Sequence, residues 1–399
     1  MSEVHRRSAT SIAAFSEMEV VVDRLVAGGE GLARYQGVPI FIPLSAPGDR
    51  VLVNVVERHT DYARAEIVRV LEPGPTRRAA PCPVFGLCGG CDLQHIADEE
   101  QSRLKVEAAL EALRRLGGIH QPPEVRMIAG SSWAYRLRTQ VRLEEDLEGV
   151  RAGYFGRGSH MLVPVSECPV LVPDLERELA ELPTVVPVGG PRRIDLAAGD
   201  DGTVVAAPPV EGLSRGSVFR DVGRYRYEYD ARVFFQGHAG LLADLVREVC
   251  GPWRGEKLVE LFAGVGLLTL PLAARYGQVI AVESDRVASR LLKKNARSNG
   301  LKNVEVVARS VDYFVRHFGG AADRVVVDPP RSGLHVLTRM AIVKSRATRL
   351  TYLSCHPASL ARDLKDLLAT FELESLCFFD MFPQTGHIET LAQLVRKAG

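Results

Sequence analysis

The chain has 399 residues, enough for two or three domains with ample core. Its 50 Lys and Arg stand against 49 Asp and Glu, a net charge of +1, so any basic surface for a nucleic acid must be local. No apolar run is long enough to span a bilayer, and no membrane contact is expected. Residues 1–16 carry Arg6 and Arg7 among small polar residues and lack the apolar centre of a secretory signal. They read as a mobile tail of a cytoplasmic protein. Seven cysteines in such a chain point to metal binding or catalysis rather than a disulfide framework. No period indicates a solenoid or propeller.

Residues 17–75 read as a small β-barrel. Met18–Leu25, Val38–Pro43, Arg50–Val56 and Ala63–Val70 are strand-like runs separated by glycine- and proline-rich turns. Gly29-Glu30-Gly31-Leu32-Ala33 and Pro47-Gly48-Asp49-Arg50-Val51 resemble the two signatures of the TRAM domain, an OB-like barrel that binds RNA. A barrel used only for packing or protein contact is the competing reading.

Residues 76–228 form the expected central domain. Cys82, Cys88 and Cys91 are spaced C-x5-C-x2-C, and the glycines at 89 and 90 let the backbone curl so that the sulfurs converge. Cys168, in Glu-Cys-Pro, is the natural fourth ligand. Four thiolates suit zinc or an iron–sulfur cluster, and spacing leaves both open. It does not match the C-x3-C-x2-C of radical enzymes. Cys250 and Cys377 have no such neighbours and read as packing residues. The periodicity predicts a helix over Asp98–Leu116, a strand over Trp133–Leu143 and a short helix over Asp174–Leu182. Arg136, Arg138 and Arg142 fall at even steps and so share one strand face, suited to phosphates or simply to solvent.

Residues 229–399 alternate strand and helix, the pattern of a doubly wound, mainly parallel sheet. Leu258–Phe262 is a strand that runs into the tight turn Ala263-Gly264-Val265-Gly266. The next strand ends at Glu283, placed to bind the hydroxyls of a ribose. The turn lacks the full G-x-G-x-x-G phosphate fingerprint, which favours S-adenosylmethionine over a dinucleotide. Asp328-Pro329-Pro330-Arg331 closes a later strand, and the prolines point Asp328 across the strand ends. Enzymes that methylate exocyclic amines often carry an aromatic after the two prolines. Arg331 there argues against that reaction. Cys355 follows the strand Leu350–Leu353 and precedes His356-Pro357, a helix start. A ligand-binding sheet edge and a helix N-terminus both favour a thiolate at that place. A buried structural cysteine is the plainer alternative. Phe382-Pro-Gln-Thr-Gly-His-Ile-Glu389 brings Glu389 to the start of a closing strand.

Together these stretches resemble the RNA uracil-5-methyltransferases. The carriers are Phe234-Phe235-Gln236, Glu260-Leu261-Phe262-Ala263-Gly264-Val265-Gly266, Asp328-Pro329-Pro330-Arg331, Ser354-Cys355-His356-Pro357 and His387-Ile388-Glu389. The barrel and the cysteine spacing resemble the branch with a TRAM domain and a [4Fe–4S] cluster, whose best-known members modify large-subunit ribosomal RNA. The resemblance implies a class I methyltransferase fold with an N-terminal OB-like barrel and a central iron–sulfur domain. It implies Cys355 as nucleophile and Glu389 as general base. It implies S-adenosylmethionine against Gln236, Phe262, Gly264, Glu283 and Asp328, with Asp312 a further candidate near the adenine. It makes Cys82, Cys88, Cys91 and Cys168 the ligands of the [4Fe–4S] cluster. It implies an RNA partner, ribosomal RNA before transfer RNA, and no obligate protein partner, with a monomer as the default. His356 and His238 stand where asparagine is common, Glu260 where aspartate is, and Leu267 where a polar residue is frequent. Two readings compete: a cytosine methyltransferase of the same fold, against which no Pro-Cys occurs in this half, and an RNA-binding factor with a degenerate cofactor fold.

Overall fold

A computed structural model describes residues 16–317 and 320–398. The tail expected over residues 1–16 lies outside the described residues, apart from Ser16. The strands Glu17–Leu25, Gly31–Tyr35, Val38–Ile42, Arg50–Arg58 and Ala63–Glu72 close into a five-stranded barrel. Met18, Val20 and Val22 alternate inward and meet Val51, Val53 and Val55 from the neighbouring strand. Gly31–Tyr35 had no strand signal of its own; pairing with both neighbours draws it into the barrel. Asp49 of the Pro-Gly-Asp turn is buried and accepts hydrogen bonds from Ala46 N, Gly74 N and the Arg77 guanidinium.

The middle of the chain builds an antiparallel five-stranded sheet from Arg138–Asp146, Gly149–Phe155, Leu162–Pro164, Arg193–Ala198 and Val204–Ala207. The helix Pro173–Val185 covers it through Leu175, Leu179 and Leu182. Val218–Val222 and Tyr225–Tyr229 form a separate hairpin.

The largest sheet has eight strands. Its strands Gly255–Leu261, Tyr276–Val282, Val304–Val307, Arg324–Val327 and Arg349–Ser354 are parallel to one another. Glu389–Arg396 then runs antiparallel between Arg349–Ser354 and Phe371–Phe379. Both faces are covered, so apolar side chains point both ways from the strands: Val325 and Val327 enter one core and Val326 the other. The chain winds outward from Gly255–Leu261 and returns beside it with Arg324–Val327. That reversal opens a crevice at the carboxyl ends of these two strands. The outermost strand, Glu124–Ile128, comes from far upstream and pairs in parallel with Phe371–Phe379. The helix Asp98–Gly117 accompanies it; Ala109 and Leu113 share a core with Ala361 and Leu364 of the helix Pro357–Leu367.

Candidate active site

Gly255–Leu261 ends at Phe262, which adopts a left-handed backbone with φ of 65°. A non-glycine residue held there is strained and marks a functional turn. Gly264 follows with φ of 56° and open space where a Cβ would lie, so a ligand can approach the backbone. Glu283 accepts a hydrogen bond from Gly264 N at 2.8 Å and another from Asp285 N at 2.7 Å. Its carboxylate thus holds the glycine turn and faces the crevice. Asn295 reaches from the next helix to donate to Val265 O at 3.0 Å, fixing the turn from behind.

Asp328 leaves the end of Arg324–Val327 and accepts a hydrogen bond from Gln236 Nε2 at 3.2 Å. Gln236 is buried, and its Oε1 has no partner within the protein. Burial pushes the Asp328 carboxyl up to about 7, against the pull of the Gln236 hydrogen bond. Glu260, buried below, accepts from Thr269 Oγ1 at 2.6 Å, and burial lifts it to about 8.

Cys355 stands half-buried at the end of Arg349–Ser354. His356 behind it caps the helix Pro357–Leu367, its Nδ1 accepting from Ser359 N at 3.3 Å. The antiparallel register ends with Ser354 paired to Thr390, so Cys355 and Glu389 each lie one residue beyond that last rung. Glu389 is buried and its Oε2 has no partner within the protein. Burial, then the charge of Asp328, hold its carboxyl well above the usual range, with Arg331 pulling the other way. Burial also raises the Cys355 thiol to about 11, helped by the charges of Glu389 and Asp328. The helix N-terminus expected to favour a thiolate is outweighed here by desolvation and two carboxylates.

One cavity of about 750 Å³ is lined by Gln236, Phe262, Gly264, Glu283, Asp328, Cys355 and Glu389. All seven expected catalytic and cofactor residues therefore meet in one place. Asp312 does not line it; it accepts from Thr338 Oγ1 at 3.3 Å. The cavity wall also includes Gly90, Asp92, Arg136, Arg138, Arg331 and His387. Arg331 and His387 belong to the Asp-Pro-Pro-Arg and His-Ile-Glu motifs, Arg136 and Arg138 had only their even spacing, Gly90 only its place between cysteines, and Asp92 carried no signal. His387 accepts from the Arg331 guanidinium, and burial lowers it to about 4, so it is neutral. His238, at the other unusual position, is structural. Its Nδ1 accepts from Gly240 N, its Nε2 donates to Ser131 O, and its ring stacks on Tyr135 at 4.8 Å.

The arginine row divides. Arg136 precedes the strand and turns toward a second cavity, while Arg138 donates to Ala231 O and Arg142 lies over the Phe155 ring. Arg151, Arg157 and Arg193 pair with Asp146, Asp92 and Asp195, so they are largely neutralised.

The second cavity, of about 50 Å³, is lined by all four expected cysteines, with Arg136, Tyr154 and Gln94. All four are free thiols, partly buried. Gly90 N donates to Cys88 Sγ at 3.4 Å, and Cys82 N is held by Gln94 Oε1 at 3.2 Å. Burial raises Cys168 to about 12 and also lifts Cys88 and Cys91. Among the described residues, no group of three or more His, Cys, Asp or Glu side chains is arranged to hold a metal ion as it stands. Cys250 and Cys377 are buried in the core of the large sheet, as expected. Among the described residues, no helix is long and apolar enough to cross a membrane.

A family model described as tRNA (uracil-5-)-methyltransferase matches residues 220–397, and the TRAM domain model matches residues 14–68. The 23S rRNA (uracil(1939)-C(5))-methyltransferase RlmD of Edwardsiella ictaluri is 32% identical over 417 residues, covering 94% of each chain. The chain belongs to the RNA uracil-5-methyltransferase family. It is an RNA methyltransferase that uses S-adenosylmethionine. An RNA methyltransferase of Aquifex aeolicus, otherwise uncharacterised, is 31% identical over 420 residues, 94% of this chain and 98% of that protein. The methyltransferase also shares its fold with the Pyrococcus abyssi tRNA (uracil-54, C5)-methyltransferase, solved with S-adenosyl-L-homocysteine. That likeness has a TM-score of 0.74 at 23% identity and covers 95% of this chain and all of the other. The barrel at the N-terminus is thus a TRAM domain.

Proposed function

We propose that this enzyme methylates carbon 5 of a uridine in ribosomal RNA through a covalent adduct on Cys355, with Glu389 as the base. The observation that carries this reading is that Cys355 and Glu389, at one end of paired strands, line the same cavity as Gln236, Glu283 and Asp328.

Carbon 5 of uracil is too weak a nucleophile to take a methyl group directly. The Cys355 sulfur gives up its proton and adds to carbon 6, which turns the ring into an enolate with a nucleophilic carbon 5. S-adenosylmethionine supplies the methyl group on its sulfonium. Glu389 then takes the proton from carbon 5, the carbon 5–carbon 6 double bond re-forms, and the bond to sulfur breaks with sulfur keeping its electron pair. Cys355 regains a proton, so one proton leaves per methyl transferred.

The cofactor pocket fits that donor. The orphaned Gln236 Oε1 awaits a hydrogen-bond donor, and an acidic wall of Glu260, Glu283 and Asp328 suits a cationic ligand with a ribose. Phe262 offers a ring beside it. The division into a tail (1–16), a TRAM barrel (17–75), a central domain (76–228) and a methyltransferase domain (229–399) fits these roles. The target uridine must leave its stack to reach Cys355, at a cost of a few kcal/mol. Contacts of the barrel with flanking RNA would offset that cost.

Cys82, Cys88, Cys91 and Cys168 would hold a [4Fe–4S] cluster. Four partly buried thiols around one cavity are the donor set of a cysteine-held cluster, and the resemblance to the cluster-bearing branch of the family favours iron–sulfur over zinc. Arg136 at the wall would offset its negative charge. Ribosomal RNA is favoured over transfer RNA by the full-length match to a 23S rRNA enzyme at the higher identity.

The test is incubation with labelled S-adenosylmethionine and unmodified transcripts of large-subunit ribosomal RNA and transfer RNA, followed by nucleoside identification. 5-Methyluridine in the ribosomal transcript alone supports the whole reading. The same product in transfer RNA alone overturns the substrate, and label in another nucleoside overturns the chemistry.

A further inference from the structure

We infer that Asp92 is a positioning residue for the Glu389 base, acting through Gly386. The inference rests on the reading of Glu389 as the base. Asp92 follows the cluster ligand Cys91 directly and lines the catalytic cavity. Its Oδ2 accepts from Gly386 N at 3.0 Å, across 294 residues of chain. Its backbone N and that of Leu93 both donate to Gln384 O, at 2.8 and 2.9 Å. Its Oδ1 accepts from Arg157 Nη1 at 3.0 Å, and Arg157 Nη2 donates to Cys91 O at 2.7 Å. One carboxylate therefore joins the cysteine loop to the segment that delivers Glu389.

That segment is held from every other side. Gln384 sits in a left-handed backbone with φ of 67°, a strained state that its neighbours must sustain. Gln101 accepts from Gln384 N at 2.9 Å, and Lys105 Nζ donates to Phe382 O at 3.1 Å. A Cβ on Gly386 would lie 2.2 Å from Gly28 of the barrel turn. The barrel, the cysteine loop and the catalytic sheet thus meet at one glycine, three residues before the base. Glu389 Oε2 makes no hydrogen bond of its own within the protein, so its position is inherited from this backbone. Asp92 is the contact at that glycine made by a side chain rather than by packing.

The consequence is confined to one step. Attack by Cys355 and methyl transfer do not need Glu389 in line with the carbon 5 proton. Release does: the proton must pass to the carboxylate while the double bond re-forms and the sulfur departs. A displacement of about 1 Å costs on the order of 100-fold in such a transfer.

The experiment measures adduct formation and adduct release separately for Asp92→Asn, Asp92→Ala and Glu389→Gln, with iron content and amide exchange of the 384–389 segment in the free protein. The amide in Asp92→Asn keeps one acceptor for Gly386 but loses the ion pair with Arg157; alanine loses both. Expected are unchanged formation, release slowed about 10-fold or more in alanine and less in asparagine, and faster exchange in the segment. The inference is overturned if Asp92→Ala retains iron and releases product at the wild-type rate, if formation and release fall together, or if both variants lose iron. Normal release in Glu389→Gln would overturn the base reading itself, which is a separate result.

Discussion

Cys355 and Glu389 each lie one residue beyond the last rung of one antiparallel ladder, Ser354 paired with Thr390, and both line the same cavity. The proposed nucleophile and base are 34 residues apart in sequence, yet a single ladder brings them together. Removing either should stop the reaction at a different point. Cys355→Ala should form no covalent RNA complex and no product. Glu389→Gln should slow release by about 10²- to 10⁴-fold and let the complex accumulate as a retarded band on a denaturing gel. A Gln variant that turns over normally would remove Glu389 from the base role.

The charges around that pair predict the pH dependence. Burial lifts Cys355 to about 11, Asp328 to about 7, and Glu389 well above its ordinary value. Each shift favours the protonated form: the Cys355 thiol stays protonated in neutral water, and Asp328 titrates around neutrality. The thiol must lose its proton to attack, and Glu389 must be ionised to accept one. The competent fraction therefore grows with pH, and kcat/KM should climb from about pH 6 into the alkaline range. A profile flat across that range would contradict this electrostatic account.

Gln236 links the cofactor pocket to Asp328 and leaves Oε1 free. Gln236→Ala should weaken S-adenosylhomocysteine binding by about 10-fold or more, the loss of a hydrogen bond to a charged group, with the fold intact. Calorimetric titration of the purified variant measures it. Unchanged affinity would place Gln236 on the uracil side of the cavity.

Protein purified without oxygen should contain about four irons and matching sulfide per chain. Cys168→Ala should lose visible absorbance and thermal stability, since Cys168 is the one proposed ligand that comes from outside the 82–91 loop. Stoichiometric zinc in place of iron would overturn the cluster and keep the site.

Asp49 ties the barrel to Arg77. Burial works against its charge, but the Arg77 hydrogen bond and the Gly74 and Ala46 amides bring its carboxyl below the usual range. A lowered constant contributes stability above the unfolded value, and that stability is lost as pH falls through the folded one. The barrel should therefore loosen first below about pH 4. Asp49→Ala, which strands Arg77, should cost about 3–5 kcal/mol, measured by denaturant unfolding. A variant as stable as the parent would mean that Arg77 reaches solvent freely.

The parts of the site legible in the sequence are those carried by strand ends and turn residues. Gly264, Glu283, Asp328 and Cys355 each close a strand of one parallel sheet, and such ends converge by topology. What escaped was non-local. Asp92 looks like a surface acid after a cysteine, and nothing near it announces Gly386. Glu124–Ile128 has mostly exposed side chains, with no alternation strong enough to announce an edge strand. Even spacing put Arg138 and Arg142 on one face, yet the partners of each arginine come from elsewhere in the fold. The acidity of Cys355 was misjudged for the same reason: a helix start is visible locally, whereas burial beside two carboxylates is not.

The edge strand Glu124–Ile128 also constrains how the molecule can be made and divided. It leaves the ribosome well before its partner, Phe371–Phe379, exists, and must wait for nearly the whole catalytic half to emerge. A fragment starting after residue 228 would keep Gln236, Phe262, Gly264, Glu283, Asp328, Cys355 and Glu389 but lose Gly90, Asp92, Arg136 and Arg138 from the same cavity. It would also leave Phe371–Phe379 with an open row of backbone donors and acceptors beside buried Phe378 and Phe379. Such a border pairs with any strand it meets. The first half of the chain thus covers the open edge of the second, and transplanting the catalytic half alone should yield aggregates rather than a smaller enzyme.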